Sequence, residues 1–409
     1  MRLDRLRYVV MLRVLGFRWS VGVNVLDAIA PRSESGVWIV KKGETLAKLR
    51  VAVLFGGRSG EHSVSLVSAA SVLAALNPAT IEVVQIGIDR HGRWFTGPKT
   101  LDALNDGNFQ REGVEPALFS ATPGEGLKAG GRTIGFDVAL PVIHGTNGED
   151  GTLQGLMELA GVAYAASGVV GSAVCMDKSI FKAVAIANGL PTLPYVDVPR
   201  HRWHAEPKAV LDQIEAKLQY PVFAKPCNMG SSVGVVKAQS REELEAALEE
   251  AARWDRRLVV EQGVDAREIE VAILGNASPK ASVAGEIVPD RDFYDFESKY
   301  ADSDSRLHIP APLPAKQSDE IRAMALHAFA AMDCAGLARV DFLMEKESGA
   351  VWLNEINTMP GFTSISMYPK LWDASGLPYS ELLDEVVRLA VDRKQIRDSI
   401  ETTFEGVVG

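Results

Sequence analysis

Cysteine is scarce and scattered in this chain. The three thiols, Cys175, Cys227 and Cys334, lie far apart in sequence and form neither a CxxC pair nor a disulfide framework, which fits a reducing cytoplasm. Long apolar runs are missing as well. None approaches the roughly 20 residues that cross a bilayer as a helix, so no membrane association is expected. Basic charge is in deficit: the formal net charge is −10, which argues against a general binder of nucleic acid or of anionic membranes. Internal repeats are absent. So is a dinucleotide fingerprint, because Gly56-Gly57-Arg58-Ser59-Gly60 does not match GxGxxG, and Glu82 stands before the next strand rather than after it. What remains is 47% hydrophobic and 23% charged, the composition of a globular protein. A chain of 409 residues is expected to form more than one domain.

The charge is unevenly spread. Residues 1–50 hold ten Arg or Lys against four acids, so the remainder is more acidic than the net figure suggests. No signal-peptide pattern accompanies this start. Residues 1–49 are expected to be a poorly ordered N-terminal extension.

The most informative stretch is Arg339-Val340-Asp341-Phe342-Leu343, followed by a polar turn and Val351-Trp352-Leu353-Asn354-Glu355-Ile356-Asn357. Both halves alternate with period two and read as strands. Folding the hairpin about Ser348 sets Asp341 opposite Glu355 and Arg339 opposite Asn357. One face then carries two acids, an amide and a guanidinium; the other carries Val340, Phe342, Trp352 and Ile356 as core. The polar face reads either as a solvated edge with charges paired across strands or as an oxygen-rich site for a hard cation such as Mg²⁺.

Two strand–glycine loop–helix units precede it. Arg50–Phe55 is an apolar run ending at Gly56-Gly57, and Glu61 opens the following helix. That carboxylate either caps the helix or receives a substrate ammonium. Phe136–Ile143 ends at His144 in a loop with Glu149 and Asp150. Loops at the carboxyl ends of parallel strands are where ligands bind in such sheets. Further on, Lys225 ends a strand before Cys227–Val235, a Gly/Ser-rich loop whose N–H groups can fold over phosphate oxygens. The lysine precedes the glycines, so this is not a Walker A loop. A helix is expected from Met176 to Ala187, a strand at Leu258–Gly263, antiparallel strands at 267–274 and 281–288, and helices at 319–332 and 379–397. The long irregular stretch Pro289–Pro314 reads as a lid.

Seven segments, in order, resemble the D-alanine–D-alanine ligase family of the ATP-grasp superfamily: GGRSGEHSVSL (56–66), HGTNGEDGTLQG (144–155), MDK (176–178), KPCNMGSSVG (225–234), YDFESKY (294–300), GLARVDF (336–342) and NEINTMPGFTSIS (354–366). Cys227 and Thr146 depart from the family's usual residues. The resemblance implies an α/β (α+β) ATP-grasp fold, with a Rossmann-like parallel-sheet domain (50–166), a central ATP-binding domain (167–262) and a C-terminal domain (263–400) carrying the lid at 289–314. It implies ATP-dependent joining of two D-alanines through a D-alanyl phosphate, with D-lactate or D-serine as alternative second substrates. Tyr300 favours D-alanine, because the lactate-forming relatives lack it.

The resemblance also implies residue roles. Asp341, Glu355 and Asn357 would hold two Mg²⁺ or Mn²⁺ ions. Lys178 and Lys225 would bind phosphates under the 230–234 loop with its Ser232. Glu261, Glu268 and Phe293 would contact the nucleotide. Glu61 would take the ammonium of the first D-alanine beside His144. Arg339 and the Gly361 N–H would hold the oxyanion, and Lys299 with Ser366 the second carboxylate. Glu61, Ser231 and Tyr300 would close the lid. A cytoplasmic homodimer is expected.

Overall fold

In the computed structural model, which describes residues 48–288 and 306–401, the run Val51–Phe55 is wholly withdrawn from solvent. It lies in β1 (Leu49–Gly56). Val51, Val53 and Phe55 enter one core, Ala52 and Leu54 another. A strand covered on both faces needs this unbroken apolar composition. Around it forms a sheet with β2 (Ile81–Ile88), β3 (Trp94–Thr96), β4 (Glu115–Phe119), β5 (Leu127–Ala129), β6 (Arg132–Ile134), β7 (Val138–Pro141) and β8 (Ala163–Tyr164). The order is β6-β5-β4-β3-β2-β1-β7-β8. β1, β2, β7 and β8 are parallel; the parallel sheet is as expected from the sequence, while β8 was not anticipated. The antiparallel ribbon β3–β6 was not expected, because strands of three to five residues are too short to display a period. Helices α1 (His62–Ala75), α2 (Thr100–Asp106) and α3 (Thr152–Leu159) accompany this sheet.

From β1 the chain moves to β2 on one side and later returns to β7 on the other. The crevice between the carboxyl ends of β1 and β7 is therefore a topological switch point, where open α/β sheets receive ligands. Glu61 follows β1 and His144 follows β7, so both sit at its rim.

The second layer contains α4 (Val169–Met176), α5 (Lys178–Ala187), β9 (Tyr195–Pro199), α6 (Arg200–Ala205), α7 (Pro207–Glu215), β10 (Val222–Pro226), β11 (Val236–Ala238), α8 (Arg241–Ala252) and β12 (Arg257–Gln262). Its antiparallel sheet runs β11-β10-β12-β9. The helix expected from Met176 to Ala187 is α5, which starts at Lys178, and the separate helix α4 before it was not expected. Asp177 is extended between them, and its carboxylate accepts from the N–H groups of Ser179 and Ile180, each at 3.1 Å. That N-cap starts α5 at Lys178.

The third sheet runs β15-β14-β13-β16-β17, made of β13 (Ala266–Gly275), β14 (Lys280–Val288), β15 (Arg306–His308), β16 (Gly336–Glu345) and β17 (Val351–Asn357). With it come α9 (Ala315–Ala331), α10 (Met367–Ala374) and α11 (Tyr379–Asp398). α9 begins earlier than expected, directly after Pro314, which is fixed in the extended conformation that suits the entry to a helix. α11 returns to the first sheet: Leu382, Leu383 and Val386 share a core with Val51, Val53 and Phe55. Folding also unites two cysteines that are 159 positions apart, placing the free Cys175 and Cys334 sulfurs 3.6 Å from each other. Among the described residues no helix is long and apolar enough to cross a membrane.

Candidate active site

The three sheets enclose a cavity of about 950 Å³. Every site residue predicted from the sequence that falls among the described residues lines it. Phe293, Lys299 and Tyr300 lie outside the described residues.

The β16–β17 hairpin forms one wall. Asp341 pairs with Glu355 and Arg339 with Asn357, the register read from the sequence. The pairing then slips by one residue at a bulge after Asp341, so Phe342 meets Leu353 and Met344 meets Val351. An extra residue in one strand reverses which side chains face the core. Leu353 is consequently buried with Val340, Phe342 and Ile356, while Trp352, predicted for the core, is half-buried opposite Leu343. On the neighbouring strand, Glu270 pairs with Asp341. Three acids thus stand in one row across β13, β16 and β17. Arg339 donates from Nε to Asp341 Oδ1 at 2.8 Å and from Nη2 to Oδ2 at 2.6 Å, and its Nε lies 3.1 Å from Glu270 Oε2. Burial disfavours the guanidinium charge, but Asp341, Glu270 and Glu355 outweigh it and raise the pKa of Arg339. Asn357 Oδ1 accepts from the Met359 N–H at 2.9 Å. Beside the Arg339 guanidinium, Asp341, Glu355 and Asn357 present carboxylate and amide oxygens to the cavity, a donor set that suits a hard cation such as Mg²⁺.

The switch-point rim forms the opposite wall. Glu61 is the N-terminal flanking residue of α1, yet its side chain makes no capping hydrogen bond. Of the two readings open from the sequence, the cap is therefore not the one observed. The carboxylate lies against two glycines instead: a Cβ on Gly230 would come within 2.7 Å of Glu61 Oε1, and one on Gly145 within 3.5 Å of its Cδ. His144 is buried. Its Nε2 is 2.9 Å from Ser68 Oγ and its Nδ1 3.0 Å from the Met359 carbonyl oxygen and 3.5 Å from Glu149 Oε1. Burial lowers the imidazole pKa, and Glu149, Glu61 and the Met359 carbonyl together overcome that and raise it. Glu61, His144 and Glu149 each offer a donor atom within 4.8 Å of the others. Both ring nitrogens already have protein partners, however, so the cluster suits a cationic group held by two carboxylates better than a metal held by the imidazole.

The basic side comes from the second layer. Lys178 Nζ donates to the Met229 carbonyl at 2.7 Å, tying the start of α5 to the β10–β11 loop. In that loop Ser231 and Ser232 adopt positive φ of 46° and 58°, the left-handed region where successive N–H groups can form an anion-binding concavity. Such conformations cost on the order of 1–3 kcal/mol each in non-glycine residues and cluster at functional sites. Lys225 Nζ donates to Glu261 Oε2 at 2.7 Å, and Lys182 Nζ lies 3.2 Å from Glu261 Oε1. Burial alone would raise the Glu261 pKa, but the two ammonium groups bring it down to about 2. Glu268, on β13, lines the cavity near Glu270. Gly361 and Ser366 close the floor: a Cβ on Gly361 would lie 3.1 Å from Ser366 Oγ, which accepts from the Thr363 N–H at 3.2 Å.

Sequence reasoning did not single out Lys182 or Glu270, and gave Glu149 no role of its own. Lys182 lies one turn after Lys178 on the same helix face. Glu270 lies two residues after Glu268 on the same strand face. Those periods were the available signals.

Comparison with known proteins gives a consistent picture. Residues 50–167 match the family model for the D-ala D-ala ligase N-terminus, and residues 184–388 the model for the D-ala D-ala ligase C-terminus. A D-alanine–D-alanine ligase from Heliobacterium modesticaldum is 51% identical over 356 residues, covering 85% of this chain and 96% of that protein. One from Natranaerobius thermophilus is 44% identical, covering 88% and 99%. Among solved structures, the D-alanine–D-alanine ligase from Coxiella burnetii superposes with a TM-score of 0.75 at 36% identity, covering 86% of this chain and 96% of that one. The VanG D-Ala:D-Ser ligase from Enterococcus faecalis gives 0.77 at 35%, covering 84% and 100%.

Proposed function

The chain belongs to the D-alanine–D-alanine ligase family and has its ATP-grasp fold, and we propose that it joins two D-alanines into D-alanyl-D-alanine, using ATP and passing through a D-alanyl phosphate. The product serves peptidoglycan precursor synthesis. The observation that carries this reading is the single cavity in which an acid cluster, a lysine cluster and a row of oxygen donors meet. D-serine or D-lactate as second substrate is not favoured, because the relatives with the higher identities are named for D-alanine alone.

Glu61, with Glu149 and His144 behind it, receives the ammonium of the first D-alanine and so fixes its carboxylate toward the opposite wall. Lys178 and Lys225 neutralise phosphate charge, and the 230–234 loop with Ser232 covers the phosphates. Glu261, Glu268 and Phe293 would contact the nucleotide. Asp341, Glu355 and Asn357 would hold Mg²⁺ or Mn²⁺, two ions in all, which supply charge neutralisation between phosphate and carboxylate when bound. Arg339 and the Gly361 N–H face the oxygen that gains charge when the second amine attacks. Fixed donors of this kind need no reorganisation as charge develops. Lys299 and Ser366 hold the second carboxylate. The lid at 289–314, joined through Tyr300, Ser231 and Glu61, keeps water from the acyl phosphate. The chain would divide into domains at 50–166, 167–262 and 263–400, and the protein acts as a cytoplasmic homodimer.

The test is ADP release. D-alanine alone supports it, and L-alanine does not; equal rates with the two enantiomers would reject the reading.

A further inference from the structure

Lys182 is about as buried as a side chain can be, at 1% exposure, and it does not line the cavity. Burying an ammonium is costly without a counter-charge. Here Glu261 supplies it, also buried, with Oε1 3.2 Å from Lys182 Nζ and Oε2 2.7 Å from Lys225 Nζ. The Tyr195 ring, centred 5.6 Å from Lys182 Nζ, adds a cation–π contact. Tyr195 and Phe223 are the Cα neighbours of Glu261 on the flanking strands. The carboxylate therefore bridges a lysine behind the cavity wall and a lysine in front of it.

This arrangement has two consequences. Geometrically, each ammonium holds one oxygen, so α5 fixes the rotation of the carboxylate and thereby the direction of Lys225. Electrostatically, one negative charge is shared between two positive ones. The trio carries a net charge of one positive unit, and Lys225 is its exposed member. Were Lys182 neutral, Glu261 would cancel Lys225 and the trio would offer no net charge to an anion.

We propose that Lys182 is a positioning residue for nucleotide binding, which holds Glu261 so that Lys225 stays directed at, and charged toward, the phosphates of ATP. This rests on the reading of the cavity as an ATP site. Lys182 acts through Glu261 and touches no substrate itself.

The experiment measures the ATP dissociation constant by calorimetric titration, and kcat and both KM values by ADP release, in wild type, Lys182→Met and Lys182→Arg. In Lys182→Met the ATP dissociation constant rises about tenfold or more, the scale of a lost charge-assisted hydrogen bond, while the D-alanine KM is unchanged. Lys182→Arg restores ATP affinity to near wild type. Unchanged ATP affinity in Lys182→Met, or equal weakening toward ATP and D-alanine, overturns the proposal. Should Lys182→Met not fold, Lys182→Gln carries the same measurement: it keeps a donor to Glu261 without the charge, and wild-type ATP affinity there equally overturns the proposal. A wild-type chain that binds no ATP would instead reject the ligase reading beneath it.

Discussion

Glu261 is buried between two ammonium groups, so replacing it with glutamine should damage stability before it damages chemistry. The magnitude follows from linkage. An ordinary glutamate titrates at 4.5, and the folded site lowers this to about 2. At about 1.4 kcal/mol per pKa unit, the ionised carboxylate contributes about 3 kcal/mol near neutral pH. Breaking a buried ion pair by removing one partner costs a similar ~3–5 kcal/mol. The sign is that of a depressed acid. The contribution is fully present above pH 4.5 and is lost as pH falls through about 2. At pH 3 about half of it should survive. Hydrogen exchange in peptides covering β10 and β12 reports the local opening free energy directly. Wild type and Glu261→Gln should differ by about 3 kcal/mol at pH 7 and by about half of that at pH 3. A difference below about 1 kcal/mol at pH 7, the scale of an exposed pair, would refute the argument, as would one that does not shrink in acid.

The remaining predictions concern the two walls. Glu355→Ala should abolish ADP release while the melting temperature stays near that of wild type; turnover retained at saturating Mg²⁺ would contradict the metal assignment. Gly230→Ala places a Cβ within 2.7 Å of Glu61 Oε1. Displacing that carboxylate should lower kcat/KM for D-alanine roughly 10- to 100-fold, and an unchanged value would show that Glu61 does not set the position of the first substrate.

The sequence made the site more legible than the frame around it. Alternation in Arg339–Leu343 and Val351–Asn357 was enough to set Asp341 against Glu355, and the two glycine turns were enough to bring Glu61 and His144 to one rim. The bulge escaped because Val351, Trp352 and Leu353 are all apolar, and a run of three gives period two nothing to choose between. Trp352 was placed in the core for that reason. The start of α5 at Asp177 was legible to within two residues, but α4 was missed because Val169–Met176 is apolar and small throughout and offers no periodic contrast. Lys182 escaped for a different reason. A lysine in a helix is almost always at the surface, and only the tertiary approach of Glu261 from β12 makes its burial tolerable. The proximity of Cys175 and Cys334 is likewise a product of topology, invisible to any local period.

On the proposed function, one cavity couples ATP cleavage to the joining of two D-alanines. The most direct test is mass analysis of the products formed by the full chain with ATP, Mg²⁺ and an equimolar mixture of D-alanine, D-serine and D-lactate. D-alanyl-D-alanine is expected, with one ADP per dipeptide. A mixed dipeptide or depsipeptide as the main product, or ADP formed without any condensed product, would contradict it.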